Sequence, residues 1–211
     1  YRQTDPLYTV DLSDPAKPEV RGELAVLGYS AYLHPAGDGR LLGLGQDGTK
    51  EGRSTGLQLS LFDVSNLQSP TRLDRERLAE AWSDAENDHH AFTMAGDLVL
   101  IPFNAWTSVP PKGVTPENAK LQGIYINRFD AGVIAIRVGA DGLGTPSTLR
   151  PIATGPITFD GSGEISPSVQ RITESTPMRT VVYDGTIYTL TMDGVAAHSA
   201  TSLSHLTFAK F

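Results

Sequence analysis

Apolar and polar residues alternate along this chain in short runs, and glycine, proline, asparagine and aspartate cut the runs apart. Alternation with period two places every second side chain on one face, the pattern of a half-buried strand, and the breakers mark tight turns. Read this way, the first two strands are Leu7–Asp11 and Glu19–Val26. A set of four follows at Ala31–His34, Gly39–Leu44, Leu57–Asp63 and Thr71–Leu78. A second set falls at Ala91–Met94, Gly96–Ile101, Gly132–Val138 and Ser147–Ala153. A third falls at Thr180–Tyr183, Gly185–Leu190, Val195–Ser199 and His205–Phe211. Within each set, glycine-containing turns such as Asp184-Gly185 join the first two strands, because a two-residue hairpin needs positive φ. No long helical period competes with this reading.

One phrase is written twice. Asp11-Leu12-Ser13-Asp14 with Pro18 returns as Asp63-Val64-Ser65-Asn66 with Pro70, 52 residues on from Asp11 to Asp63. An aspartate ending a strand accepts hydrogen bonds from the amides of the turn after it, so both aspartates read as turn residues. A period near fifty residues built of short strands predicts four-stranded units repeated radially, since one unit cannot bury both faces alone. The expected fold is all-β, a β-propeller with about three and a half four-stranded blades. Residues 1–28 form a half blade and 29–80 a blade. Residues 88–154 form a blade with a long insertion at 104–122, and 178–211 form the last.

An open arc of blades leaves strand edges that pair with another chain. Two copies of three and a half blades sum to seven, so self-association in a homodimer is one expected way to complete the ring. Upstream blades of a longer parent chain are the other.

Composition narrows the function classes. A formal charge of −7 argues against unaided binding to nucleic acid or an anionic membrane, both of which reward basic patches. The absence of cysteine excludes a disulfide framework and a thiolate zinc site, and says nothing of compartment. No run approaches the roughly twenty apolar residues that span a bilayer. The chain opens on Tyr1-Arg2-Gln3 and reads as a mature, processed or excised segment.

The candidate chemistry gathers in one loop. Asp84, Glu86 and Asp88 alternate ahead of His89 and His90, so their carboxylates could share one side and hold a hard cation such as calcium. The segment lacks the glycine and terminal glutamate of a calcium loop, and an ordinary solvated acidic loop has the same composition. In an extended segment His89 and His90 point to opposite faces. Asp160, Ser162 and Glu164 are a second, weaker cation set made of common turn formers. Trp82, Trp106 and Phe103 lie in or beside loops, where aromatic rings stack on a sugar or peptide or pack between blades. Trp82, His89, His90 and Trp106 are therefore the ligand-binding candidates. Histidines 34, 198 and 205 are dispersed, and no catalytic trio is singled out.

Several stretches resemble a known family. Tyr1–Pro15, Gly28-Tyr29-Ser30 with Tyr32-Leu33-His34-Pro35, Leu59–Ser65, Asp88-His89-His90-Ala91-Phe92 and Asp184–Thr189 resemble secreted or lipid-anchored bacterial proteins with a C-terminal β-propeller domain, mostly of unknown function. The resemblance implies a propeller, an extracytoplasmic location and a longer parent protein, and it carries no catalytic residues to transfer. The chain departs from the family at Ala196-Ala197-His198 and in the proline-rich insertion. The leading expectation is an exported, non-enzymatic scaffold for a protein or glycan ligand. The rival is a metal-dependent sugar-binding or hydrolytic propeller using the loop 84–90.

Overall fold

Where apolar and polar residues alternate, the described residues form antiparallel sheet. The structure, a computed structural model, describes residues 6–78, 80–140, 142–151, 157–159 and 176–211. They fall into two compact units, residues 1–89 with 136–146 and residues 90–135 with 147–211.

In the first unit β1 (Leu7–Asp11) and β2 (Glu19–Leu24) pair as a two-stranded sheet. Strands β3 (Tyr29–Pro35), β4 (Arg40–Gly48), β5 (Ser54–Asp63) and β6 (Thr71–Arg77) make a blade in simple sequential order. The hairpin turn between β3 and β4 holds Asp38 at φ 50° and Gly39 at φ 70°. Asp184 and Gly185 repeat this at φ 45° and 70° in the last blade. Both are the paired left-handed residues that match strand twist in a hairpin. β5 is buried on both faces: Leu57, Leu59 and Leu61 fill one side, and Gln58 and Ser60 are buried on the other. Gln58 is accommodated there because its Nε2 donates to the Gln46 carbonyl at 3.1 Å.

The repeated phrase is a repeated turn. Asp11 Oδ1 accepts from the Ser13 amide at 2.9 Å, and Asp63 Oδ1 accepts from the Ser65 amide at 2.8 Å. Further along, Asp14 caps the Ala16 amide and Asn66 caps the Gln68 amide in the same register. The Ser13 bonds, with Arg21 alongside, hold the Asp11 carboxyl down at about 2, and the Ser65 bonds lower that of Asp63. The second turn also docks the half blade. Thr9 Oγ1 donates to the Leu67 carbonyl, and Gly22 lies so close that an added Cβ would stand 2.3 Å from that oxygen and 2.7 Å from Pro70 Cδ.

The second unit holds two blades. β7 (Thr93–Ala95), β8 (Leu98–Val109), β9 (Ile126–Arg137) and β10 (Ser147–Leu149) form one, with β11 (Ile157–Phe159) pairing β9 further along. β12 (Pro177–Tyr183), β13 (Thr186–Thr191), β14 (Gly194–Ser199) and β15 (His205–Lys210) form the other. Leu98, Leu100, Val133, Ala135 and Leu149 share one core with Ile187. Thr93 Oγ1 donates to the Thr180 carbonyl at 2.9 Å and accepts from Thr180 Oγ1 at 2.8 Å.

Among the described residues, three sheets of four or more strands and one of two match three blades and a half. Two local expectations differ. The strand expected at Ala91–Met94 is only Thr93–Ala95, because His89–Ala91 turn in a 3-10 helix that buries Ala91. The insertion 104–122 is built of strand and helix: β8 continues through its first residues to Val109, helix α1 (Pro116–Gln122) closes it, and β8 and β9, each of 12 residues, are paired on either side. Thr115 caps that helix through the Asn118 amide, Pro116 starts it, and Gly123 ends it in the left-handed region. The Asp160–Glu164 set lies outside the described residues. Among those described, no helix is long and apolar enough to cross a membrane.

Candidate functional site

The loop from Glu80 to Ala91 is moored by its own caps and by β4. Ser83 caps the 3-10 turn Asp84–Glu86, and Glu86 reaches back to the Ser83 amide at 3.0 Å, a reciprocal capping box. The other Glu86 oxygen accepts from Gln46 Nε2 at 2.8 Å, while Gln46 Oε1 accepts from Ser54 Oγ at 3.1 Å. Buried Ala85 and Ala91 pin the loop at two points. Glu86 is thus engaged in holding the loop, and Asp84 opens the turn with its carbonyl accepting from the Asn87 and Asp88 amides.

The ligand atoms of Asp88, His89 and His90 all lie within 4.8 Å of one another, and both histidines are exposed. The turn at His89–Ala91 brings the two imidazoles together, where an extended backbone would part them. Tyr32 lies against His89 with ring planes 27° apart and centroids at 6.4 Å. Its hydroxyl is hydrogen bonded to His34 Nδ1 at 2.9 Å. Burial pushes His34 down from the usual histidine range. Of the three carboxylates that alternate in the sequence, only Asp88 belongs to this cluster. Trp82 stands half exposed on the rim of a cleft of about 280 Å³, lined also by Gln46, Ser54, Thr55 and Glu80.

Beside Gln46, Asp47 is buried to 5% side-chain exposure and receives two guanidiniums across β5: Arg75 Nη1 and Arg77 Nε, each at 2.9 Å. Arg72 lies in the same field. Its Nη1 is buried without a hydrogen-bond acceptor, and desolvation, then the charge of Arg75, lower its pKa.

Trp106 sits in the second unit, on the arm where β8 and β9 outrun the blade. Its ring packs on Phe129 at 5.0 Å between centroids, leaving the indole 47% exposed. Phe103, earlier on the same strand, is buried. Beyond Trp106 the arm also exposes Leu121, Ile124 and Tyr125.

His198 on β14 is fully enclosed. Nε2 donates to the Arg150 carbonyl at 3.1 Å, and its Nδ1 is buried without a partner. His205 approaches edge-on at 5.1 Å and donates to the Pro151 carbonyl at 3.2 Å. Desolvation, aided by His205 and opposed by the Arg150 bond, lowers the His198 pKa. Nearby, Arg150 pairs both carboxylate oxygens of Asp130 at 2.9 Å.

The family model described as a beta propeller domain matches residues 1–203. The chain belongs to that beta propeller family. An uncharacterised protein of Methanocaldococcus jannaschii is 45% identical to this propeller chain over 92 residues, 44% of the chain and 14% of the relative. An uncharacterised protein of Archaeoglobus fulgidus is 44% identical over 94 residues, again 44% of the chain and 14% of the relative. The matched segment is thus a small part of these longer proteins. Both are archaeal, whereas the resemblance pointed to bacterial proteins. No solved structure matches the propeller.

The groups that sequence reading missed in this propeller are Gln46, Asp47 and the β6 arginines. The visible signal was a polar pair, Gln46-Asp47, closing the apolar run Leu41–Leu44 between two glycines.

Proposed function

We propose that this propeller segment is a non-enzymatic interaction module that binds a protein partner through the β8–α1–β9 arm. One observation carries the reading: the arm displays apolar side chains to solvent, with Leu121 at 78% exposure and Trp106, Ile124 and Tyr125 near half. Exposed apolar surface concentrated in this way marks an interaction site. Leucine and isoleucine offer contact area but no hydrogen bonds to sugar hydroxyls, so beside two aromatic rings they favour a protein over a glycan. Lys112, Glu117 and Lys120 supply polar neighbours suited to an interface rim. Strand pairing stiffens the arm and lowers the ordering cost of binding. An extracytoplasmic site of action is part of the proposal and rests on the family resemblance.

The test places a photo-crosslinking residue at position 121 or 124, with Lys17 as control, in the organism that makes the protein. One defined protein adduct should form from both arm positions and not from position 17, and Trp106→Asp should abolish it. The purified adduct partner should then bind the purified chain with the same dependence on Trp106. Light scattering on the chain alone decides the self-association alternative. A mass of twice 22.6 kDa that Leu121→Asp halves makes a second copy the occupant and overturns the proposal. Glycan-array binding lost in the same variant, or no arm-specific adduct at all, overturns it as well.

A further inference from the structure

We propose that Asp88, His89 and His90 bind a first-row divalent transition-metal ion, using two imidazole nitrogens and one carboxylate. The site is separate from the arm, and either reading can fail without the other. Three donors within 4.8 Å of one another in consecutive residues need little movement to converge. Around an ion with bonds of about 2.0–2.2 Å, ligand atoms sit roughly 3–3.5 Å apart. Side-chain rotation, chiefly of the two exposed histidines, covers the difference of at most roughly 1.3–1.8 Å.

Two features favour this over chance proximity. The 3-10 turn at His89–Ala91 removes the alternation that would aim successive side chains oppositely. The turn buries Ala91, and the loop leading into it is anchored by buried Ala85 and by the Ser83–Glu86–Gln46 bonds. Tyr32 lies along the His89 ring, and the His34 bond to its hydroxyl fixes the tyrosine, so one imidazole is oriented in advance. Three protein ligands leave further coordination positions to water or an external donor.

The donor set selects the class of metal. Calcium takes about six to eight oxygen ligands, and this trio offers one carboxylate, with Glu86 engaged by Ser83 and Gln46. Imidazole nitrogen suits cobalt, nickel, copper and zinc. The calcium site expected from Asp84, Glu86 and Asp88 thus gives way, in this proposal, to a nitrogen-containing site one step along the chain.

The experiment uses the tag-free chain, stripped with chelator and titrated with cobalt(II) in the visible and with zinc(II) by calorimetry. The expected result is one ion per chain, a cobalt d–d band that zinc abolishes, and no displacement by millimolar calcium. His89→Gln, His90→Gln and Asp88→Asn should each weaken binding by roughly tenfold or more, with far-ultraviolet dichroism unchanged. Without any variant, cobalt should selectively broaden the ring signals of His89 and His90 in the proton–nitrogen spectrum. The proposal is overturned by any of three results: no saturable binding, equal affinity in both histidine variants, or displacement of cobalt by calcium.

Discussion

Asp47→Ala is the substitution whose cost the structure states most directly. The carboxylate is 5% exposed and takes hydrogen bonds from Arg75 and Arg77, tying β6 to β4 across β5. Removing one partner of a fully buried pair costs about 3–5 kcal/mol, because the other is stranded. Here the stranded groups are not fully buried, since Arg75 and Arg77 are 32% and 55% exposed and regain water. Arg72 has less access, and it loses the carboxylate that offsets the charge of Arg75. The expected loss is therefore about 2–3 kcal/mol, below the buried limit and above the roughly 0–1 kcal/mol of a surface pair. At this chain length each kcal/mol moves Tm by about 2–4 °C, so the variant should melt roughly 4–12 °C lower. Arg77→Ala is the internal control: its exposed guanidinium should cost less than about 1 kcal/mol. Urea unfolding of the three proteins, fitted with a common slope, measures both values. If Asp47→Ala lies within about 0.5 kcal/mol of the parent, or Arg77→Ala costs as much as Asp47→Ala, the burial argument is wrong.

Two further outcomes are expected. Gly22→Ala sets a methyl against the Leu67 carbonyl and Pro70, and backbone cannot yield as a side chain does, so about 2–3 kcal/mol should be lost; a neutral result in urea would show the half blade free to shift. His198 has a lowered pKa in the fold, so its contribution is present above the unfolded value near 6.5 and is lost as pH falls through the lower folded value. The groups facing it are His205 and the Arg150–Asp130 pair. Between pH 7 and 5 the parent should lose Tm faster than His198→Gln, whose amide preserves a donor for Arg150, and parallel curves would refute that role.

The blades were legible because strands such as Leu57–Asp63 carry their period in the side chains themselves, and Asp-Gly turns carry their conformation in the glycine. The arm was not: Asn104–Val109 mixes polar residues with a tryptophan ahead of Pro110-Pro111, which reads as loop. Its strand form comes from β8 pairing with β9, a contact outside the segment. The turn at His89 was hidden for a related reason. Gln46, which moors the loop just ahead of it through Glu86, sits forty positions upstream of that residue. Asp47 and its arginines likewise meet only once β4, β5 and β6 are in register. Local pattern names elements, and polar partnerships between them need the register first.

The two matching turns have an evolutionary meaning. Because Asp11 and Asp63 satisfy the same amides in the same order, a break and rejoining of the gene within one turn and its counterpart inserts or removes a whole repeat. The join itself leaves no amide without its acceptor. Such a seam lets a lineage vary its number of blades by unequal recombination while each intermediate still folds locally at the joint.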